Sequence, residues 1–254
     1  MLTSTLAALA VSVALQGPPA PPPTPAPQAP AIETAWPDDK PITRIAQNFA
    51  HDFMGLTRLE PALVLGSGGL GAIVAHTYDD DVAEWAAESP SALAGFGRVL
   101  GDGWFQGSLA FLTYGVGFLN DDAKTRHIGS DLIRTQVLTG ALTRSLKIVV
   151  DRERPYQGGH SFPSGHASAT FATATVLYGH FGWKVGVPGY ALAGLVAWNR
   201  VRDRSHWLSD TVFGASIGLA AGLSVTRGHR ERTWVVTPVA SRHSVAIHVS
   251  RRGR

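Results

Sequence analysis

Apolar and polar positions change their pattern several times along the chain. Leu6 to Leu15 form an unbroken apolar run followed by small residues. Residues 1–16 therefore read as a secretory signal, or as an N-terminal helix that stays attached as an anchor, because the run is shorter than a full membrane span. Residues 17–35 are dense in proline and predict an extended linker, since proline runs form neither helix nor sheet. From Trp36 the pattern becomes globular. Ile42 to Leu56 place apolar residues at helical spacing. Four stretches then lack Asp, Glu, Lys and Arg altogether: Pro61–Tyr78, Gly103–Asn120, Val185–Asn199 and Thr211–Thr226. A fifth, Pro155–Trp183, begins as a loop and turns helical near Ser164. Leu132 to Val150 read as a further helix, with Arg134, Arg144 and Lys147 on an otherwise apolar face.

Apolar segments of about 10–20 residues joined by short polar turns predict an all-α fold, a bundle of about six helices over residues 36–226. The tail, 227–254, differs. Val245, Ile247 and Val249 alternate with Ala, His and Ser, and Trp234–Pro238 are β-prone, which predicts a short C-terminal β-hairpin.

Composition sharpens this picture. Charged residues make up 16% of the 254, against about 25% in an ordinary soluble domain. The uncharged segments suit short membrane spans, while their many Gly, Ser and Thr residues also suit a soluble bundle. Gly214, Gly218 and Gly222 recur every fourth residue, a spacing that lets two helix backbones approach closely. There is no cysteine, which excludes disulfides, a thiol nucleophile, a Cys zinc site and an iron–sulfur cluster. The net charge of +3 fits a phosphate site or an anionic membrane surface, and no basic block points to nucleic acid.

Two weaker patterns are set aside. Gly66, Gly68 and Gly71 match a dinucleotide-binding glycine spacing, but they lie inside an apolar helical run where helix packing explains them better. His76, Asp80 and Glu84 share one helical face, yet a solvated helix end accounts for them and no second cluster completes a metal site.

Chemistry concentrates between Lys147 and Asp210. Lys147 and Arg154 are seven residues apart, on nearly one face if both are helical, and Pro155 then stops the helix. Pro163-Ser164-Gly165-His166 stand at the apparent start of the next helix, whose free N–H groups and dipole favour an anion. Ser164 alone reads as an ordinary N-cap. Arg200, His206 and Asp210 follow, and His206 and Asp210 are spaced i, i+4, so that on a helix the carboxylate would orient the imidazole. Three cations, two histidines, a hydroxyl, a glycine and one carboxylate together suit a tetrahedral oxyanion.

In these three motifs the chain resembles the type-2 phosphatidic acid phosphatase / vanadium haloperoxidase superfamily. That family's pattern, K-x6-RP, PSGH and SR-x5-H-x3-D, is met by Lys147 to Pro155, Pro163 to His166 and Arg200 to Asp210, with Asn199 replacing the family's serine. The resemblance implies a helical bundle and a phosphomonoesterase that needs no metal or other cofactor. His206 would be the nucleophile, oriented by Asp210, and His166 the general acid. Lys147, Arg154, Ser164, Gly165 and Arg200 would bind the phosphate. The expected substrate is a phosphorylated lipid or a small phosphate ester. A vanadate-dependent haloperoxidase and a non-catalytic phospholipid-binding envelope protein are the competing readings. The expected location is outside the cytoplasm, in a bacterial-type inner membrane with a periplasm-facing site or as a soluble periplasmic protein.

Overall fold

The computed structural model describes residues 42–88, 94–156, 158–230, 233–240 and 245–252. The expected signal and proline-rich linker lie outside them. Nine helices follow one another among the described residues: α1 (Ile42–Gly55), α2 (Leu59–His76), α3 (Asp79–Glu88), α4 (Ala94–Leu100), α5 (Gly103–Leu119), α6 (Ala123–Val150), α7 (Gly165–Phe181), α8 (Trp183–Arg202) and α9 (Leu208–Arg230). The fold is all-α, as the apolar segments predict. It holds more helices than the expected six or so, in part because α3 and α4 are short and their sequences are not continuously apolar. Beyond α9, β1 (Thr233–Ala240) and β2 (Val245–Arg252) pair antiparallel, with Val236 opposite Val249.

Helix starts follow local capping chemistry. Asp102 accepts from the backbone N–H groups of Trp104 and Phe105 at the head of α5, and Asp122 does the same for Lys124 and Thr125 at the head of α6. Such caps satisfy donors that a helix end leaves unpaired. α6 runs 28 residues, beginning well before the expected Leu132. Its first half carries Arg126, His127, Asp131 and Arg134, all buried, so polar residues that look like a solvated turn belong to the interior.

Small residues set the helix spacing. The core is rich in alanine, with Ala167, Ala172, Ala193, Ala220 and Ala221 at most 1% exposed. Along α9 the glycine ladder faces α7: a Cβ at Gly214 would lie 2.6 Å from the Ser164 carbonyl oxygen, and one at Gly218 would lie 2.2 Å from that of Ser168. The register Gly214–Ser164, Gly218–Ser168, Gly222–Thr175 makes α7 and α9 parallel neighbours. On its other side α9 meets α2, where Gly68 packs on Ser216 and Gly71 on Val212, an antiparallel register. Gly68 and Gly71 are thus packing residues, as read from the sequence, whereas a Cβ at Gly66 would meet nothing within 4 Å.

The remaining surface of α2 and α5 is apolar. Leu63, Leu70, Ile73 and Val74 of α2, with Phe111, Leu112 and Leu119 of α5, are all more than half exposed. Among the described residues two helical stretches, Leu59–His76 and Leu208–Thr226, are long and apolar enough to cross a membrane.

Away from Lys147, one buried polar set ties α1, α6 and α7 together. Arg134 donates to both carboxylate oxygens of Asp52 at 2.9 and 2.7 Å and also to Asp131. Asp131 in turn lies 2.8 Å from His180 Nε2. Replacing Arg134 by Met strips the buried Asp52 of its cation, which should cost about 3–5 kcal/mol. A lower thermal unfolding midpoint in detergent, with a drop larger than that of Arg144→Met, is the expected result.

Candidate active site

Five chain segments end together: the C-terminus of α6, the 151–164 connection, the N-terminus of α7, the C-terminus of α8 and the N-terminus of α9. They bring all eight sequence-predicted residues to one end of the bundle. Lys147 is within electrostatic reach of Arg154 and Asp210, His206 of Lys147 and Arg154, and His166 of Arg200 and His206.

The local geometry differs from a simple helical reading in two places. α6 stops at Val150, and Asp151 caps it in the left-handed conformation with φ 41°. Arg154 therefore sits in the connection, not one helical face along from Lys147. The connection is held by polar contacts. Lys147 Nζ donates to the His160 carbonyl at 2.6 Å and the Ser161 carbonyl at 3.3 Å. Arg154 Nε donates to the Gly159 carbonyl at 3.2 Å. Neither cation has a carboxylate partner among the described residues.

The second difference concerns His206 and Asp210. Asp210 lies in the first turn of α9, but His206 precedes the helix, so their spacing straddles its N-terminus. His206 Nδ1 stands 3.6 Å from Asp210 Oδ2, slightly beyond hydrogen-bond range, and the imidazole is almost fully buried. Burial, with Lys147 and Arg154 nearby, holds His206 below the usual histidine range although Asp210 opposes this. Burial therefore favours the uncharged form of the ring.

Asp210 is itself clamped. Its Oδ1 accepts from Arg152 Nη1 at 2.8 Å, and its Oδ2 accepts from the Ser161 hydroxyl and from the Trp207 backbone N–H at 2.9 Å. Its backbone carbonyl accepts from the Ser164 N–H at 2.9 Å, joining the heads of α7 and α9. Ser164 caps α7 through a long 3.5 Å contact with the Ala167 N–H. Gly165 begins the helix, and a Cβ there would touch only Thr143 at 3.8 Å, so the protein's own packing does not demand a glycine. His166 lies against Gly101, where a Cβ would come within 2.6 Å of its ring. Arg200 is buried, its Nη2 donating to Asp203 at 2.8 Å, and its carbonyl accepts from the His206 N–H at 3.1 Å. Asn199 packs against Gly97 of α4.

Four residues of this end escape the motif pattern: Arg152, Asp79, Ser161 and Ser209. Arg152 sits between two motif residues, and Asp79 opens an acidic run whose other members, Asp80 and Asp81, are exposed. Nothing in the spacing singles either out. His76, read from the sequence as part of a helix end, contacts Asp79 at 2.8 Å, and no group of described residues has the makings of a metal site.

Known proteins share parts of this arrangement. A lipid A 1-phosphatase of Porphyromonas gingivalis is 33% identical over 89 residues, which are 34% of this chain and 20% of the relative. A lipid A 4'-phosphatase of Helicobacter pylori is 32% identical over 79 residues, 31% of this chain and 40% of the relative. The chain thus spans between a fifth and two fifths of the length of these relatives. A transmembrane PAP2-type phosphatidylglycerolphosphate phosphatase of Bacillus subtilis has a similar fold, with a TM-score of 0.50 and 18% identity over 73% of this chain and 94% of that one. Residues 130–234, which include all eight predicted site residues, match the PAP2 superfamily.

Proposed function

We propose that the chain hydrolyses phosphate monoesters of lipids through a phosphohistidine, without a metal. The observation that carries this reading is a buried His206, held by that burial below the usual histidine range, within electrostatic reach of two cations, Lys147 and Arg154, that have no carboxylate partner among the described residues. A neutral imidazole is the nucleophilic form, and the cations favour a doubly charged phosphate beside it. Two relatives named as lipid A phosphatases support a lipid phosphate as the substrate class.

In this reading His206 Nε2 attacks phosphorus while Asp210 takes up the growing positive charge at Nδ1. The ester P–O bond breaks, and His166 gives its proton to the leaving alkoxide. The bound dianion favours the protonated form of His166 that this step needs. Lys147, Arg154 and Arg200 neutralise the equatorial oxygens, and the N-terminus of α7 at Ser164 and Gly165 supplies backbone N–H groups. Water then attacks the phosphohistidine, with His166 accepting its proton, and phosphate leaves. Arg200 exchanges Asp203 for the phosphate oxygens in doing so.

The exposed apolar sides of α2 and α5 are the natural lipid-facing surface, because many large apolar side chains on each are more than half exposed. The bundle is accordingly read as membrane-embedded, with its charged end at the lipid–water boundary. The apolar start and proline tether of the sequence favour export, with that end facing away from the cytoplasm. Protease added to spheroplasts should cut a C-terminal tag if the tail lies on that side, and full-length protein in the cytosolic fraction would overturn export.

Phosphate release from a lipid phosphate should survive EDTA, since the positive field comes from side chains. Loss on chelation with recovery on Mg²⁺ would contradict the electrostatic roles of Lys147, Arg154 and Arg200, and no turnover of any phosphate ester would favour a binding protein. The two histidines should separate by leaving group. His206→Ala should abolish both turnover and the acid-labile phosphoenzyme. His166→Ala should slow alkyl esters by about 10²–10⁴-fold and nitrophenyl phosphate much less, because nitrophenolate leaves without protonation. Rapid quench with ³²P substrate reads this, and label retained in His206→Ala but lost in His166→Ala would reverse the assignment.

A further inference from the structure

Arg152 divides one guanidinium between two carboxylates from distant parts of the chain. Its Nη1 donates to Asp210 Oδ1 at 2.8 Å and to Ser209 Oγ at 2.7 Å. Its Nη2 donates to Asp79 Oδ2 at 2.8 Å and faces His76 Nδ1 at 3.1 Å. The guanidinium lies over the Trp207 ring, 5.2 Å from its centre. Asp79, only 3% exposed, also accepts from the Ser209 N–H at 2.9 Å and its hydroxyl at 2.7 Å. This places a buried carboxylate of α3 one residue beyond the pair that the proposed chemistry uses. A buried charge is costly unless it is paired and hydrogen-bonded, and here its partner is shared with Asp210.

We propose that Asp79 and Arg152 are positioning residues that form a charge relay from α3 to the active site, setting how strongly the Asp210 carboxylate favours the protonated imidazole of His206. The proposal rests on the reading of His206 as nucleophile. Arg152 alone would draw negative charge away from His206. Asp79, on the other face of the guanidinium, offsets that draw and leaves Asp210 able to support the imidazolium that forms on attack. Orientation is secured separately, because the Ser161 hydroxyl and the Trp207 N–H hold Asp210 Oδ2. The relay therefore acts through charge more than through placement.

The two members of the relay have opposite signs, and this distinguishes it from a purely structural role. His206 is faced by Asp210 from α9, Lys147 from α6, Arg154 from the 151–164 connection and His166 from α7, with Arg200 of α8 beyond His166. All of these stay unchanged when Asp79 or Arg152 is replaced. Asp79→Asn keeps the shape but leaves the Arg152 charge unopposed, so the protonation midpoint of His206 should fall. Arg152→Gln removes the cation from Asp210, so the midpoint should rise. Each shift should be about half a unit or more for a charge at this remove.

The experiment is a histidine-ring NMR titration of the full chain in detergent micelles, with the His206 signal identified by its loss in His206→Ala. Thermal unfolding runs alongside to establish folding. The acid limb of kcat/KM against pH for an alkyl phosphate ester, set by neutral His206, should follow the same shifts. For Asp79→Asn, kcat should fall by about tenfold while KM stays near the wild-type value. The double variant Asp79→Asn/Arg152→Gln should return the midpoint towards wild type. Shifts of the same sign in both single variants, or no shift in either, overturn the relay. Should Arg152→Gln fail to fold, the isosteric Asp79→Asn decides alone, an unmoved midpoint counting against the proposal. A phosphoenzyme persisting in His206→Ala overturns the nucleophile instead, while the titration still judges the relay.

Discussion

The hydrogen bond from the Ser164 N–H to the Asp210 carbonyl joins the first turns of two parallel helices, and the candidate site is arranged around that junction. Parallel helices lying side by side bring like dipole ends together, with partial positive charge at both heads. α7 and α9 can sit this close only because Gly214 and Gly218 carry no side chain where the Ser164 and Ser168 carbonyl oxygens approach. The same contact that builds the core therefore gathers a positive field at its end. Lys147, Arg152, Arg154 and Arg200 add formal charge to that field. Two of these are answered by carboxylates, Arg152 by Asp79 and Asp210, and Arg200 by Asp203. The excess positive charge lies where an anion would enter.

The other half of the bundle solves a different problem. Arg134, Asp52, Asp131 and His180 are buried together roughly 24 Å from Lys147 along α6, at about 1.5 Å per residue. Ser224 of α9 also donates to the Asp52 carbonyl. α1, α6, α7 and α9 are thus tied by polar contacts at one end, and α6, α7 and α9 also by the 151–164 connection at the other. Between the two ties many interior positions are alanine, glycine and small hydroxyl residues that pack backbones closely, with larger buried side chains such as Leu138, Val176 and Ile217 among them.

The sequence reveals what depends on short-range spacing. The uncharged segments and the glycine ladder depend on nearby positions and fall on helices as their patterns predict, whereas Lys147 and Arg154 keep their spacing without a shared helix. Contacts that cross the fold are not visible this way. Arg152 meets Asp79 across 73 positions, and Ser209 meets it across 130. Within its own neighbourhood Asp79 is indistinguishable from Asp80 and Asp81, and only burial separates them. The early start of α6 is hidden for a related reason: Arg126, Asp131 and Arg134 look solvated until their partners arrive from other helices. His206 and Asp210 show the converse, a helical spacing realised across a helix end instead of within it.

The division between apolar sides and a charged end has a kinetic consequence. On the proposed function, a bundle that exposes apolar side chains along α2 and α5 and presents cations at one end would meet its substrate by lateral search in a plane. The effective concentration is then the number of phosphorylated headgroups per unit area, so diluting them among inert lipids slows encounter even when the bulk amount is constant. Mobility in the plane, set by the fluidity of the bilayer, becomes part of the encounter rate. A water-soluble ester arriving from above would obey neither dependence.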